Sequence, residues 1–244
     1  PPPCPVPAAP AATAVAAALR AVTATHREFL AHQSEAQRRF LAIAAALPAP
    51  PRPDPDLTQE TASPPAPIRP GPKFSREDLE DLSRGPVSRH FGPRFARQDR
   101  FARQVRMPMP PLLLADRVTG IAGEPGGLGR GTIWTETYVR PDAWYLHDGL
   151  MPAGLVVEAG QADLLLLSWL GVDFENQGER VYRLLGCELT YYGVPIRAGD
   201  TVAYEIHVDG YAVQGGVRLA FFRSECRVRG ELRMRVSNGR AGFF

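Results

Sequence analysis

The residues best placed to do chemistry lie between His147 and Asp163. An imidazole sits on a polar turn, Met151-Pro152 follows, and then comes a run that is apolar on nearly every face apart from Glu158, Gln161 and Asp163. A helix apolar all round belongs inside a domain, so a carboxylate one turn into it is costly unless paired, hydrogen-bonded or protonated. Burial disfavours the ionised form, which makes Glu158 a candidate proton donor. Gln161 lies one turn on, on the same face, where its amide could orient Glu158 or be satisfied by backbone. Asp163, five residues past Glu158 at about 100° each, points to roughly the opposite side of the helix and reads as structural. His207 falls in an alternating strand and reads as a packed or half-exposed histidine, and Cys187 as a small buried apolar residue. Gly126-Gly127-Leu128-Gly129 precedes a strand rather than a helix, which argues against a phosphate loop.

The element that must carry Glu158 is a helix from Ala153 to Leu170. Pro152 stands just inside its start, where a missing amide hydrogen costs nothing, and Gly171 just past its end. About eighteen residues at 1.5 Å make a rod of roughly 27 Å. Upstream, Ser75 with Asp78 has the form of a capping box, which predicts a short helix over Arg76 to Arg84. Residues 86 to 111 are basic and irregular and read as a solvated surface wrapping the domain. Leu112 to Ile121 reads as a first strand, and glycines 123 to 131 as a turn. Gly131 to Val139 alternates, with Ile133, Thr135, Thr137 and Val139 on one face. After the helix come a polar loop, 173 to 180, and strands over Tyr182 to Tyr192, Asp200 to Tyr211, Val217 to Arg229 and Glu231 to Val236. One buried helix followed by antiparallel strands predicts an α+β domain, a curved sheet wrapped around that helix.

Composition bounds the alternatives. The 244 residues are 44% hydrophobic and 22% charged, with a net charge of +2, so nothing points to nucleic acid or an anionic membrane surface. The apolar run Leu164 to Val172 is about half a bilayer span. No signal peptide is recognisable, and Cys4, Cys187 and Cys226 have no metal-binding spacing, so a cytoplasmic setting is expected. Of the 25 prolines, 16 fall in residues 1–72, in two linker-like clusters that flank a predicted helix of about 35 residues over 11–47. Its apolar positions recur at alternating steps of four and three, a coiled-coil seam that would self-associate or dock on a neighbour. The organisation expected is residues 1–72 as linkers around that helix and 73–244 as the globular domain.

Several blocks of the globular part are familiar in kind and in order. They are Phe74-Ser-Arg-Glu-Asp-Leu79, Arg106-Met-Pro-Met-Pro-Pro-Leu-Leu-Leu-Ala-Asp116-Arg117, Pro141-Asp-Ala-Trp144-Tyr, Met151-Pro152-Ala-Gly-Leu-Val-Val-Glu158-Ala, Ala198-Gly199-Asp200 and Gly239-Arg-Ala-Gly242. With them, residues 74 to 244 resemble the hotdog-fold β-hydroxyacyl-acyl-carrier-protein dehydratases of the 3-hydroxydecanoyl type. The resemblance is closest to the dehydratase regions of polyunsaturated-fatty-acid synthases and related iterative polyketide synthases.

The resemblance implies a histidine base on the loop before the helix and an acidic residue one turn into it, positions held here by His147 and Glu158. The amides of Ala153 and Gly154 would face the thioester oxygen, with Gln161 beside the substrate. It implies no metal or cofactor, only a substrate carried on the phosphopantetheine of an acyl carrier protein. The partners it implies are a second hotdog unit, as homodimer mate or tandem half, and other synthase domains. Arg94, Arg97 and Arg100 could meet an acidic carrier. This sequence departs from the pattern in a shorter loop, with His147 only eleven residues before Glu158, and in Ala153 where glycine is common. Three readings therefore stand: a dehydratase, a non-catalytic hotdog half that organises a synthase, and a hotdog thioesterase.

Overall fold

The chain divides into two units, Pro1–Pro51 and Arg52–Phe244. The computed structural model describes residues 68–244, together with Ala24, which is helical. The linkers before residue 68 and, Ala24 apart, the helix expected over 11–47 lie outside the described residues.

The second unit opens with α1 (Arg76–Arg84), whose cap is the expected box: Ser75 Oγ accepts from the Asp78 amide at 3.2 Å and Asp78 Oδ2 accepts from the Ser75 amide at 2.8 Å. Segment 86–111 corrects the sequence reading. It folds into α2 (Ser88–Phe91) and two 3-10 turns, Pro93–Phe95 and Gln98–Arg100, and it buries Val87, Phe91, Phe95, Gln98, Val105 and Met107. The aromatics between its arginines are the reason. Phe91 and Phe95 pack on Trp169 at 5.2 and 6.0 Å, and Gln98 donates to Ser168 and Asp173.

Six antiparallel strands follow: β1 (Arg117–Ala122), β2 (Gly131–Tyr138), β3 (Tyr182–Tyr191), β4 (Thr201–Gln214), β5 (Val217–Val228) and β6 (Glu231–Phe243), in the spatial order β1-β2-β4-β5-β6-β3. β1 begins later than expected because the amides of Leu112 and Leu113 bond back to the Met109 carbonyl, at 3.0 and 3.2 Å, in a turn rather than to a neighbouring strand. β6 runs past Val236 because Ala241 to Phe243 find partners on β5 and β3. One cross-strand row, Val118, Thr135, Tyr204, Cys226, Met234 and Tyr191, spans all six strands and is buried except at Tyr191.

The helix facing this sheet is not one rod. It divides into α3 (Ala153–Ala159) and α4 (Asp163–Trp169), with α5 (Val172–Asn176) where a polar loop was expected. At the break the amides of Gly160, Gln161 and Leu164 bond three residues back, at 3.0, 3.1 and 3.2 Å, instead of four. The cause is tertiary. In a continuous helix the Gly160 amide would satisfy the Val156 carbonyl. Here the hydroxyl of buried Tyr204 donates to that carbonyl at 2.8 Å, and its ring lies 3.3 Å from where a Cβ on Gly160 would stand. α4 packs against β2 and β4, with Leu165, Leu166, Leu167 and Leu170 buried, each contributing about 1.5–3 kcal/mol of transfer free energy. Gly171, at φ 88°, ends it as expected, since a Cβ there would lie 2.6 Å from the Gly126 backbone.

Candidate active site

The break brings a cavity of about 210 Å³ to the junction of α3, α4 and the sheet. Its apolar wall includes Val157, Leu164, Ile206, Phe222 and Val236, and its polar groups are Glu158, Gln161, Asp163, Tyr182, Cys187 and Ser224. Larger clefts exist on the surface, but this one combines an apolar lining with convergent carboxyls, the pattern of a reaction site.

Glu158 is half-buried rather than sealed in an all-apolar helix, and its Oε2 accepts from the Gln161 amide nitrogen. The sequence paired these two residues on one face, and the structure brings them together. Asp163 is a correction. It does not point away from Glu158 but lines the same cavity, because the 3-10 turn at Gly160 resets the helical phase between them. Its carboxyl is buried at the first position of α4 and accepts from the Tyr182 hydroxyl at 3.2 Å. Burial pushes it up to about 6, against the hydrogen bond from Tyr182, and nearby Glu158 adds to the rise. Tyr182 is itself held above the usual tyrosine range by burial and by Asp163. Cys187 is also not the sealed core residue expected: it is half-buried on the cavity wall, and burial raises its thiol. Asp163, Tyr182 and Cys187 are the residues that sequence reasoning missed. The signal for Asp163 was present, since a glycine inside a helical pattern followed by Gln-Ala-Asp is also a stop and a fresh start.

His147 stands elsewhere. It exchanges backbone hydrogen bonds with Leu150 at 3.0 and 2.9 Å across a tight turn whose central residues, Asp148 and Gly149, have φ of 50° and 72°. Its side chain is 61% exposed, its nearest carboxylate is Asp148 at 3.6 Å, and it does not line the cavity of Glu158. Ala153 and Gly154 open α3 outside that cavity, and the Tyr191 hydroxyl donates to the Ala153 carbonyl at 3.2 Å. His207 is half-buried between Thr132 and Glu205 and belongs to the sheet, as expected.

The two sheet edges differ beside this site. Phe74 bonds to both sides of Val118 and Pro70 accepts from Ile121, so the chain itself covers β1. β3, against which the cavity lies, has no neighbour on its outer side among the described residues and exposes Leu184, Leu185, Leu189 and Tyr191. An apolar, unpaired edge is where another chain pairs. No helix among the described residues is long and apolar enough to cross a membrane.

Residues 107–236 match the FabA-like domain family. Over 174 residues, 70% of its length, the chain is 41% identical to a polyunsaturated fatty acid synthase subunit from a Thraustochytrium species, and it spans 12% of that protein. Among solved structures it is similar to the dehydratase heterocomplex ApeI:P from Xenorhabdus doucetiae, with 17% identity over 56% of this chain and 85% of that one and a TM-score of 0.39. It is also similar to a mutant of the phenylacetic acid degradation protein PaaI from Thermus thermophilus, with 19% identity over 49% of this chain and 86% of that one and a TM-score of 0.33.

Proposed function

The chain belongs to the FabA-like domain family, with the hotdog fold, and from that premise we propose that it is the dehydratase domain of a multidomain fatty-acid or polyketide synthase. Its substrate is a β-hydroxyacyl thioester on the phosphopantetheine of an acyl carrier protein, its product the enoyl thioester. The observation that carries this reading is the cavity at the helix break, apolar on most sides with the Glu158 carboxyl on its wall. Eliminating water needs a group to take the proton beside the carbonyl, a group to protonate the departing hydroxyl, and donors for the developing oxyanion. Glu158 is one proton-transfer group, oriented by Gln161. The amides of Ala153 and Gly154 are the oxyanion donors for a thioester laid along β3 beside Tyr191. A second hotdog unit covers the apolar edge of β3, and the reaction needs no cofactor beyond the carrier's arm.

One observation favours a second reading. His147 is exposed and outside the cavity, as it would be in a non-catalytic half that completes a neighbouring hotdog unit. The test is to give the purified chain a β-hydroxyacyl carrier protein and follow the products by mass. Enoyl product that disappears in Glu158→Gln sustains the dehydratase. No product from the chain alone, but product once a downstream half is added, places the chemistry in the neighbour, and release of free acid makes the domain a thioesterase.

A further inference from the structure

We propose that Asp163 and Glu158 form a complete acid–base pair within one chain, with Asp163 as proton donor and Glu158 as proton acceptor, so that elimination does not use His147. This inference rests on the dehydratase reading and assigns the proton-transfer group that reading leaves open. Three observations carry it. Both carboxyls line one cavity and His147 does not. They stand in opposite environments: Asp163 is buried and held by the Tyr182 hydroxyl, whereas Glu158 is half-buried and accepts the Gln161 amide, a donor suited to a carboxylate. Two carboxyls whose surroundings differ in this way can divide into one acid and one base. The Asp163 carboxyl, pushed up to about 6 by burial, keeps a proton further toward neutrality than an exposed aspartate does.

The step closes without another reactant. The Glu158 carboxylate takes the proton from the carbon beside the thioester carbonyl, and the electron pair left behind forms the new carbon–carbon double bond. The bond to the β-hydroxyl breaks, and the departing oxygen takes the Asp163 proton and leaves as water. The pair then holds its one proton on Glu158, and transfer of that proton to Asp163 across the cavity restores the starting state. The other groups facing Asp163 are the Tyr182 hydroxyl and the Cys187 thiol on β3. Arg103, Arg106 and Arg180 line a neighbouring cleft on the far side of Leu164 and Tyr182.

The experiment uses the whole 244-residue chain with a β-hydroxyacyl pantetheine thioester, following enoyl absorbance across pH. Asp163→Asn should lower the rate by about a hundredfold or more, while His147→Ala should stay within about threefold of the parent. The parent's rate should fall as pH rises through about 6, where Asp163 loses its proton. Tyr182→Phe removes a hydrogen bond that favours the ionised form and should move that fall to higher pH, a shift that a merely structural tyrosine would not produce. If Asp163→Asn fails to fold, the Tyr182→Phe profile decides alone, and an unmoved fall overturns the assignment. An active parent that loses its activity in His147→Ala, or keeps it in Asp163→Asn, overturns the pair and leaves the dehydratase standing. A parent that forms no enoyl product overturns the dehydratase reading and the pair with it.

Discussion

α3 and α4 come from one apolar stretch and do different work. α4 is a packing element beyond its first turn: Asp163 and Leu164 reach the cavity, but Leu165, Leu166 and Leu167 are buried in the core under β2 and β4, and its far end meets Phe91 and Phe95 at Trp169. α3 is half open, with only Val156 and Ala159 buried, and it gives Val157 and Glu158 to a cavity wall. Hydrophobic composition alone does not distinguish a helix that fills a core from one that lines a site. What separates them here is three residues, Gly160 to Ala162, and one tyrosine across the sheet.

The largest test of that difference is truncation. Leu166→Ala in α4 should cost about 2–5 kcal/mol, because it removes a fully buried side chain and leaves a void. Val157→Ala in α3 should cost distinctly less, since Val157 is half-buried and already borders a cavity. Urea unfolding of both variants measures the contrast, and equal losses would break it.

Next comes pH. The two carboxyls on the packed side, Asp163 and Asp173, are raised by burial from 3.8 to about 6 and about 7. Both bind their proton more tightly folded than unfolded, so the stability these two contribute is fullest below about 4 and is lost as pH rises through about 6 and 7. At about 1.4 kcal/mol per pK unit, Asp163 accounts for a loss of at most about 3 kcal/mol. Melting temperature followed across that range should fall, and Asp163→Asn should flatten the fall without abolishing it, because Asp173 remains. Smallest is Tyr204→Phe, which strips the Val156 carbonyl of its donor and should cost about 1 kcal/mol. Its check is urea unfolding together with amide exchange at Gly160, which should change if the helix recovers the regular bond.

The strands were legible because one face of each is buried, which leaves a period of two in the chain. β4 buries Val202, Tyr204, Ile206 and Val208 in strict alternation. α1 was legible to the residue because its capping box is local chemistry. The 86–111 segment was misread because its arginines dominate its composition while its aromatics, spaced irregularly, do the packing. Glu158 and Gln161 could be paired from sequence because residues three apart share a face in an α-helical and in a 3-10 turn alike. Asp163 falls on the wrong side when 100° is counted per residue through an unbroken helix, and only the stop signal at Gly160 argues against that count.

By itself, the sequence determined the elements whose causes lie within a few residues: caps, alternation, the glycine that ends α4, and the likeness to a dehydratase family. The tertiary structure decided where the chemistry sits. The Val156 carbonyl takes its proton donor from Tyr204, 48 residues on, and that exchange breaks the helix and turns Asp163 into the cavity of Glu158, while the turn from His147 to Leu150 keeps His147 outside it. A hydrogen bond between residues so far apart in the chain has no local period or motif from which it could have been read.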